Sequence, residues 1–169
     1  LNDYVKTTFS PKIIEEKFTE LGLECKIINN DCYFTEDVIL GKIIEIKKHP
    51  DADKLNICLV DIGNKNPLSI ICGAKNVKKN ILVPVAQVGS FLGKEKFQIT
   101  KAKIRGKVSY GMICSEKELC LNGNHDGIMI INTKKKIGTP IIQILQLNDY
   151  IYDIDLTPNR GDCLGHLGV

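Results

Sequence analysis

From Val38 onward the chain is a train of short β-type runs cut by turn signals, and this texture narrows the possible folds more than any other feature. The runs are 38–46 (VILGKIIEI), 54–62 (KLNICLVDI), 68–72 (LSIIC), 81–88 (ILVPVAQV), 97–105 and 128–132. Between them stand HPDAD, GNKNP, GAKNVKKN and GSFLGKEK. Five or six short strands with turns every 8–12 residues predict a small all-β sandwich or barrel. Gly41 inside the first run allows a sharp barrel bend, and Pro84 implies an edge or a bulge in the fourth. In 97–105 the apolar phase shifts between Ile99 and Ala102, which also points to a bulge. A closed five-stranded barrel of this size is an OB-fold, a shape used for single-stranded nucleic acid and oligosaccharide.

The two ends have a different texture. Residues 10–22 (SPKIIEEKFTELG) read as a helix, with Ser10 as N-cap, Pro11 at the first helical position and Gly22 as C-cap. Glu15 and Glu16 lie near its positive end, and Ile14, Phe18 and Leu21 form one apolar stripe. Residues 23–28 follow as a strand, and Asn29 to Asp31 as a turn. Thr139 caps a second, short helix (PIIQILQL) with Pro140 at its first position. Residues 150–156 (YIYDIDL) alternate as a strand, and TPNRGDCLGHLGV reads as the start of a larger element. The first residue is Leu1 and the sequence stops abruptly at Val169, so a piece of a longer protein is expected.

Charge follows the same division. Residues 1–39 carry four Lys against eight Asp/Glu, net −4; residues 40–150 carry eighteen Lys/Arg against nine Asp/Glu, net +9; residues 151–169 are net −2. A basic middle between acidic flanks suits a module that meets a polyanion. The sharpest local expression is KAKIRGKVSYGMICSEKEL (101–119). Read as a strand, it places Lys101, Lys103 and Arg105 on one face and Ala102 and Ile104 on the core face. Gly106 and Gly111 then break the run, and Ser109, Met112 and Ser115 follow. Such a surface suits a phosphate backbone with unstacked bases beside it; the same spacing also fits a solvated strand face. Asn76, in a loop with Lys75, Lys78 and Lys79, either contacts nucleotide or holds a turn.

Other chemistries find little support. No P-loop, GxGxxG, HExxH or GxSxG occurs. HPDADK (49–54) brings a histidine near carboxylates but reads as a turn begun by His-Pro. NGNHDG (122–127) is turn chemistry without the spacing or distal Glu of a calcium loop. The seven cysteines are irregularly spaced, with no C-x-x-C and no zinc-type cluster, so reduced, metal-free thiols are expected. No run approaches the roughly 20 apolar residues of a membrane helix, and no signal peptide is visible.

The segments HPDADKLNICLVDIG, CGAKNV, VPVAQVG, KAKIRGKVSYGMICSEKEL and HDGI together resemble the tRNA-binding OB domain found in several translation proteins. These include the β subunit of bacterial phenylalanyl-tRNA synthetase, the C-terminal appendix of some methionyl-tRNA synthetases, and free-standing tRNA-binding proteins. SPKIIEEKFTELGLE and DIDLTPNRGDCL are similar to the flanks of this domain in the synthetase β subunit, with Gly161 standing where that family usually has proline. The resemblance implies a mainly β fold with some α: an OB barrel (38–149) inserted into a small α+β flanking domain built from 1–37 and 150–169. It implies a non-catalytic, cytoplasmic N-terminal part of an ATP- and Mg2+-dependent ligase, with no cofactor of its own. Its partners would be tRNA and an α subunit in an α2β2 tetramer. It makes Asn76, Lys101, Lys103, Arg105, Ser109, Met112 and Ser115 the candidate RNA contacts. The alternative is a free-standing tRNA-binding or chaperone-like OB protein.

Overall fold

The computed structural model describes residues 4–28, 36–121, 127–147 and 149–169. In chain order they form helix α1 (Pro11–Glu20) and strands β1 (Glu24–Ile28), β2 (Val38–His49), β3 (Ala52–Asp61), β4 (Leu68–Cys72) and β5 (Leu82–Gln87). Strands β6 (Phe91–Leu92), β7 (Phe97–Gln98), β8 (Ala102–Ile104), β9 (Lys107–Ser109) and β10 (Gly111–Ile113) follow, then helix α2 (Ile141–Ile144) and strand β11 (Ile151–Asp155). The chain divides into two compact units, Leu1–Asp31 with Asp149–Val169, and Cys32–Asn148. The turn expected at 29–31 and most of the Asn/Gly/Asp run, 122–126, lie outside the described residues.

In the unit made of the two ends, β1 pairs antiparallel with β11 from Glu24↔Asp155 to Ile28↔Ile151. Helix α1 begins as its sequence dictates, Ser10 accepting the Ile13 N–H and Pro11 standing at the first position. Its C-cap is Leu21, one residue earlier than expected, and Gly22 follows in the left-handed region at φ 80°. Leu21 therefore leaves the helical phase and is exposed, so the apolar stripe reduces to Phe18 with half-buried Ile14. Phe18 meets Tyr152 edge-on, ring centroids 5.8 Å apart. Glu15 accepts the Ile27 N–H at 2.8 Å. The Arg160 guanidinium donates to the free Leu21 carbonyl at 3.1 Å, satisfying one of the acceptors a helix end leaves open.

The second unit holds a five-stranded antiparallel sheet, order β10-β5-β2-β3-β4, curled into a nearly closed OB-like barrel. β2 is the strand on which it turns. Its first half pairs with β5 and its second with β3, Lys42 facing both Leu82 and Asp61. Gly41 sits at this change of partner, where a Cβ would lie 2.6 Å from Val85 Cγ2 and 2.8 Å from Val60 Cγ1. Alternation along β2 sends Ile39 and Ile43 to the barrel interior, with Val60, Ile70, Val83 and Val85. It sends Val38 and Leu40 to the other face, against Cys114, Leu119 and Ile141. A strand covered on both faces reads as a continuous apolar run, which VILGKII is.

Three expectations need correction. Pro84 marks no edge: β5 lies between β2 and β10. The strand tolerates the missing N–H because its neighbours find other partners. Leu40 bonds to Thr139 and Gly138, and the Cys114 carbonyl accepts from Met129 N at 3.0 Å while Cys114 N donates to the Pro84 carbonyl. Residues 128–132 form no strand, only the single bridge Leu82↔Ile131. Helix α2 starts one residue late with Pro140 at the cap, since the Thr139 hydroxyl donates back to the Lys136 carbonyl at 2.7 Å instead of capping forward.

Candidate nucleic-acid interface

The basic run is not the barrel strand its alternation suggests. Residues 97–105 split between two short hairpins, β6–β7 and β8–β9, and β10 takes the fifth place in the barrel. The cause is local. Arg105 and Gly106 have φ values of 46° and 81°, and two successive positive φ values make the type I′ turn that reverses a chain in two residues. The strand therefore stops at Ile104 and returns through Lys107, Val108 and Ser109, with Lys103↔Val108 and Ile104↔Lys107 as pairs. Ala102 is exposed and Ile104 half-buried; neither is a barrel-core position. The left-handed Arg105 also ends the alternation, so the three cations do not form a one-sided strand ridge. Lys103 lies within the ribbon, Arg105 at its tip and Lys101 at its base, while Lys107 belongs to the ribbon's other face.

All four cations are exposed, and among the described residues none is held in an ion pair with a carboxylate. Lys101 Nζ lies 4.7 Å from the centroid of the Tyr110 ring, a cation–π geometry. Lys107 and Tyr110 were not among the sequence candidates. The signal for Lys107 was present in KIRGKVS, where Arg-Gly at the centre of an alternating run marks a two-residue hairpin.

The remaining candidates lie closer to the barrel. Ser109 is buried, accepting the Ile71 N–H at 3.1 Å and donating to the Gly111 carbonyl at 2.9 Å. With the Tyr110 N–H donated to the Ser69 carbonyl at 2.9 Å, it draws the β9–β10 connection onto β4, where the barrel closes. Met112 and Ser115 line a groove of about 400 Å³ with Gly73, Ala74, Gly127 and Ile128. Ser115 and Glu118 form a reciprocal cap. The Glu118 carboxylate accepts from the Ser115 N–H and hydroxyl, and Glu118 N donates back to Ser115 Oγ at 3.3 Å. Asn76 holds the Ile128 part of the lining from behind: its Nδ2 donates to the Ile128 carbonyl at 2.8 Å and its Oδ1 accepts the Ile128 N–H at 2.9 Å. The structure thus brings Met112 and Ser115 to one groove, sets Asn76 behind its Ile128 lining, keeps Lys101, Lys103 and Arg105 together on the hairpin, and places Ser109 in the closing seam.

HPDADK is the hairpin turn between β2 and β3. His49 is buried, its Nδ1 accepts the Asp51 N–H at 3.1 Å, and Nε2 has no partner among the described residues. Because Nδ1 accepts a backbone N–H, it cannot donate to a carboxylate, as the orienting contact of a His–carboxylate dyad requires. Burial pushes the Cys58 and Cys114 thiols up to about 12. Among the described residues no group of three or more His, Cys, Asp or Glu is placed to hold a metal ion, and no helix is long and apolar enough to cross a membrane.

The family described as "Putative tRNA binding domain" matches residues 38–140. Over its whole length the chain is 43% identical to the phenylalanine–tRNA ligase β subunit of Coxiella burnetii and 41% identical to that of Fusobacterium nucleatum, covering 21% of each. It is 42% identical to that of Bacillus cereus over 92% of this chain and 20% of that protein. The chain therefore spans about a fifth of the length of the curated relatives it matches. Among solved structures it is similar to the C-terminal domain of Plasmodium vivax p43, with TM-score 0.44 and 19% identity over 66% of this chain and 59% of that one. With 38–140 matched, the chain belongs to this tRNA-binding domain family.

Proposed function

We propose that the chain is the N-terminal part of a phenylalanine–tRNA ligase β subunit, and that its barrel unit binds tRNA or positions neighbouring domains on it. The observation that carries the reading is the β8–β9 hairpin: exposed cations with no carboxylate partner among the described residues, on a ribbon joined to a barrel of a tRNA-binding family. In this reading Lys101, Lys103 and Arg105 meet phosphates. Met112 and Ser115 present the groove to the nucleotide, and Asn76 and Ser109 act through the wall and seam they hold. The ligase chemistry, with its ATP and Mg2+, belongs to the longer protein and to an α subunit in an α2β2 assembly in the cytoplasm. This chain's own contribution is contact and placement, without catalysis.

Counter-ion release supplies the test. Each phosphate contact on a single strand contributes about −0.7 to the slope of log K against log salt, so replacing Lys101, Lys103 and Arg105 together by Gln should flatten the slope by about 2. Filter binding of tRNA across a salt series measures it. A variant with normal fold, unchanged affinity and unchanged slope would reduce the hairpin to a solvated face and refute the reading.

A further inference from the structure

The barrel unit has no described aromatic residue in its core. Its buried clusters are built from Ile, Val, Leu, Ala and Cys. The three described aromatics of this unit, Phe91, Phe97 and Tyr110, are all left outside, 39%, 65% and 41% exposed. One exposed apolar residue needs no explanation. Three rings kept out of a core that rings usually dominate, two on opposite faces of the β6–β7 hairpin and one just ahead of β10, do.

Both segments meet the end of β5. Gly111 pairs with Gln87, so Tyr110 adjoins exposed Val88. The β6–β7 hairpin carrying Phe91 and Phe97 is tied to the same end, by Ser90 N to the Gln87 carbonyl at 3.1 Å and Gly89 N to the Ile99 carbonyl at 2.8 Å. Residues 99–101 lead directly into the β8–β9 hairpin. Both hairpins thus leave the barrel at one corner. Residues 88–110 hold six cations (Lys94, Lys96, Lys101, Lys103, Arg105, Lys107) against one carboxylate, Glu95. Phosphate attraction alone asks for no rings. Rings set among cations match an unpaired strand, whose bases stack on aromatic faces while its backbone follows positive charge. A duplex hides those base faces and leaves the rings without a partner.

We propose that this corner is a stacking platform for single-stranded RNA, Phe97 and Tyr110 taking unpaired bases and the surrounding cations the phosphates between them. The inference rests on the RNA-binding reading above and names the form of RNA it takes.

The test uses the full-length protein carrying Phe97→Leu and Tyr110→Leu, which keep apolar bulk and remove the rings. The probes are an unstructured 12-nucleotide RNA and the same sequence as a duplex. Affinity for the single strand should fall about tenfold or more, with salt slope and duplex affinity unchanged. A 4-thiouridine-substituted single strand should cross-link to peptides containing Phe97 or Tyr110. Single-strand binding that survives the ring changes, while the Lys101/Lys103/Arg105 Gln variant still weakens it, would overturn the platform and leave the RNA-binding reading standing. An unsubstituted protein that binds neither probe at low salt would overturn both. Loss of subunit association with RNA binding intact would assign the rings to a protein contact and also overturn the platform.

Discussion

Asn76 offers the sharpest perturbation in the barrel unit. Its amide makes two opposed hydrogen bonds to one residue, 2.8 Å to the Ile128 carbonyl and 2.9 Å from the Ile128 N–H, across 52 residues of sequence. Gly127 stands against it at φ 96°, where any Cβ would collide with that amide. Ile128 is buried in the interior cluster, so both of its backbone groups depend on Asn76. Asn76→Ala strands a donor and an acceptor. Each unmet buried group costs about 1–3 kcal/mol, and partial water access at this half-buried site favours the lower figure, so a loss of about 2–3 kcal/mol is expected. For a unit of this size that is a fall in melting temperature on the order of 10 °C.

Urea unfolding of the wild-type and variant chains measures the difference, with an unchanged m-value showing that stability changed while the surface exposed on unfolding did not. The Ile128 amide should exchange with solvent faster in the variant. Asn76→Asp separates hydrogen bonding from shape. The carboxylate still accepts the Ile128 N–H but opposes the Ile128 carbonyl with a second oxygen, so it should also destabilise at neutral pH. Protonation restores a donor, so the folded-state pKa of this Asp is raised above its unfolded value, and part of the loss should return as pH falls. An Asn76→Ala variant within about 0.5 kcal/mol of wild type, with Ile128 exchange unchanged, would show that the clamp contributes nothing and refute the reasoning.

Ser109→Ala should cost about 1–3 kcal/mol by urea midpoint, because it leaves the Ile71 N–H and the Gly111 carbonyl unpaired at the barrel seam; the salt slope for tRNA should not move. The Cys58 and Cys114 thiols, raised to about 12, should stay protonated in the folded chain while the unfolded chain ionises near its ordinary value. Their contribution to stability is therefore complete below about pH 8.5 and lost as pH climbs toward 12. Thermal melts at pH 8 and pH 10.5 that differ no more than those of a Cys58→Ala/Cys114→Ala variant would contradict this.

What the sequence revealed and what it hid divide along one physical line. Periodicity reports which faces are covered, so the runs that cross the barrel were legible: 68–72 coincides with β4, and 81–88 and 54–62 contain β5 and nearly all of β3. The same signal placed α1, because Ser10-Pro11 fixes its start from inside the segment. The bonds made to distant partners left no local trace. Nothing near Pro84 announces that Met129 will occupy the acceptor its ring cannot serve, and nothing near Thr139 shows that its hydroxyl will turn back to Lys136. Ser109 reads as a loop hydroxyl until Ile71, 38 residues earlier, claims it.

The basic run shows how such an error arises and where it leads. Alternation in KAKIR is real, but it holds only while φ stays negative, and the Arg-Gly pair that follows is the local signal that the chain turns. Weighting that pair above the alternation shortens the strand to Ala102–Ile104 and brings Lys107 back beside Ile104. It also frees the fifth barrel position for Gly111–Ile113, the register that sets Tyr110 next to Val88. One dipeptide therefore decides whether the cations lie along the barrel wall or stand on a ribbon beside two exposed rings. A barrel wall offers a charged surface; a cationic ribbon next to Phe97 and Tyr110 offers charge and stacking together, which is why the form of RNA bound, single strand or duplex, is the measurement that decides what this corner does.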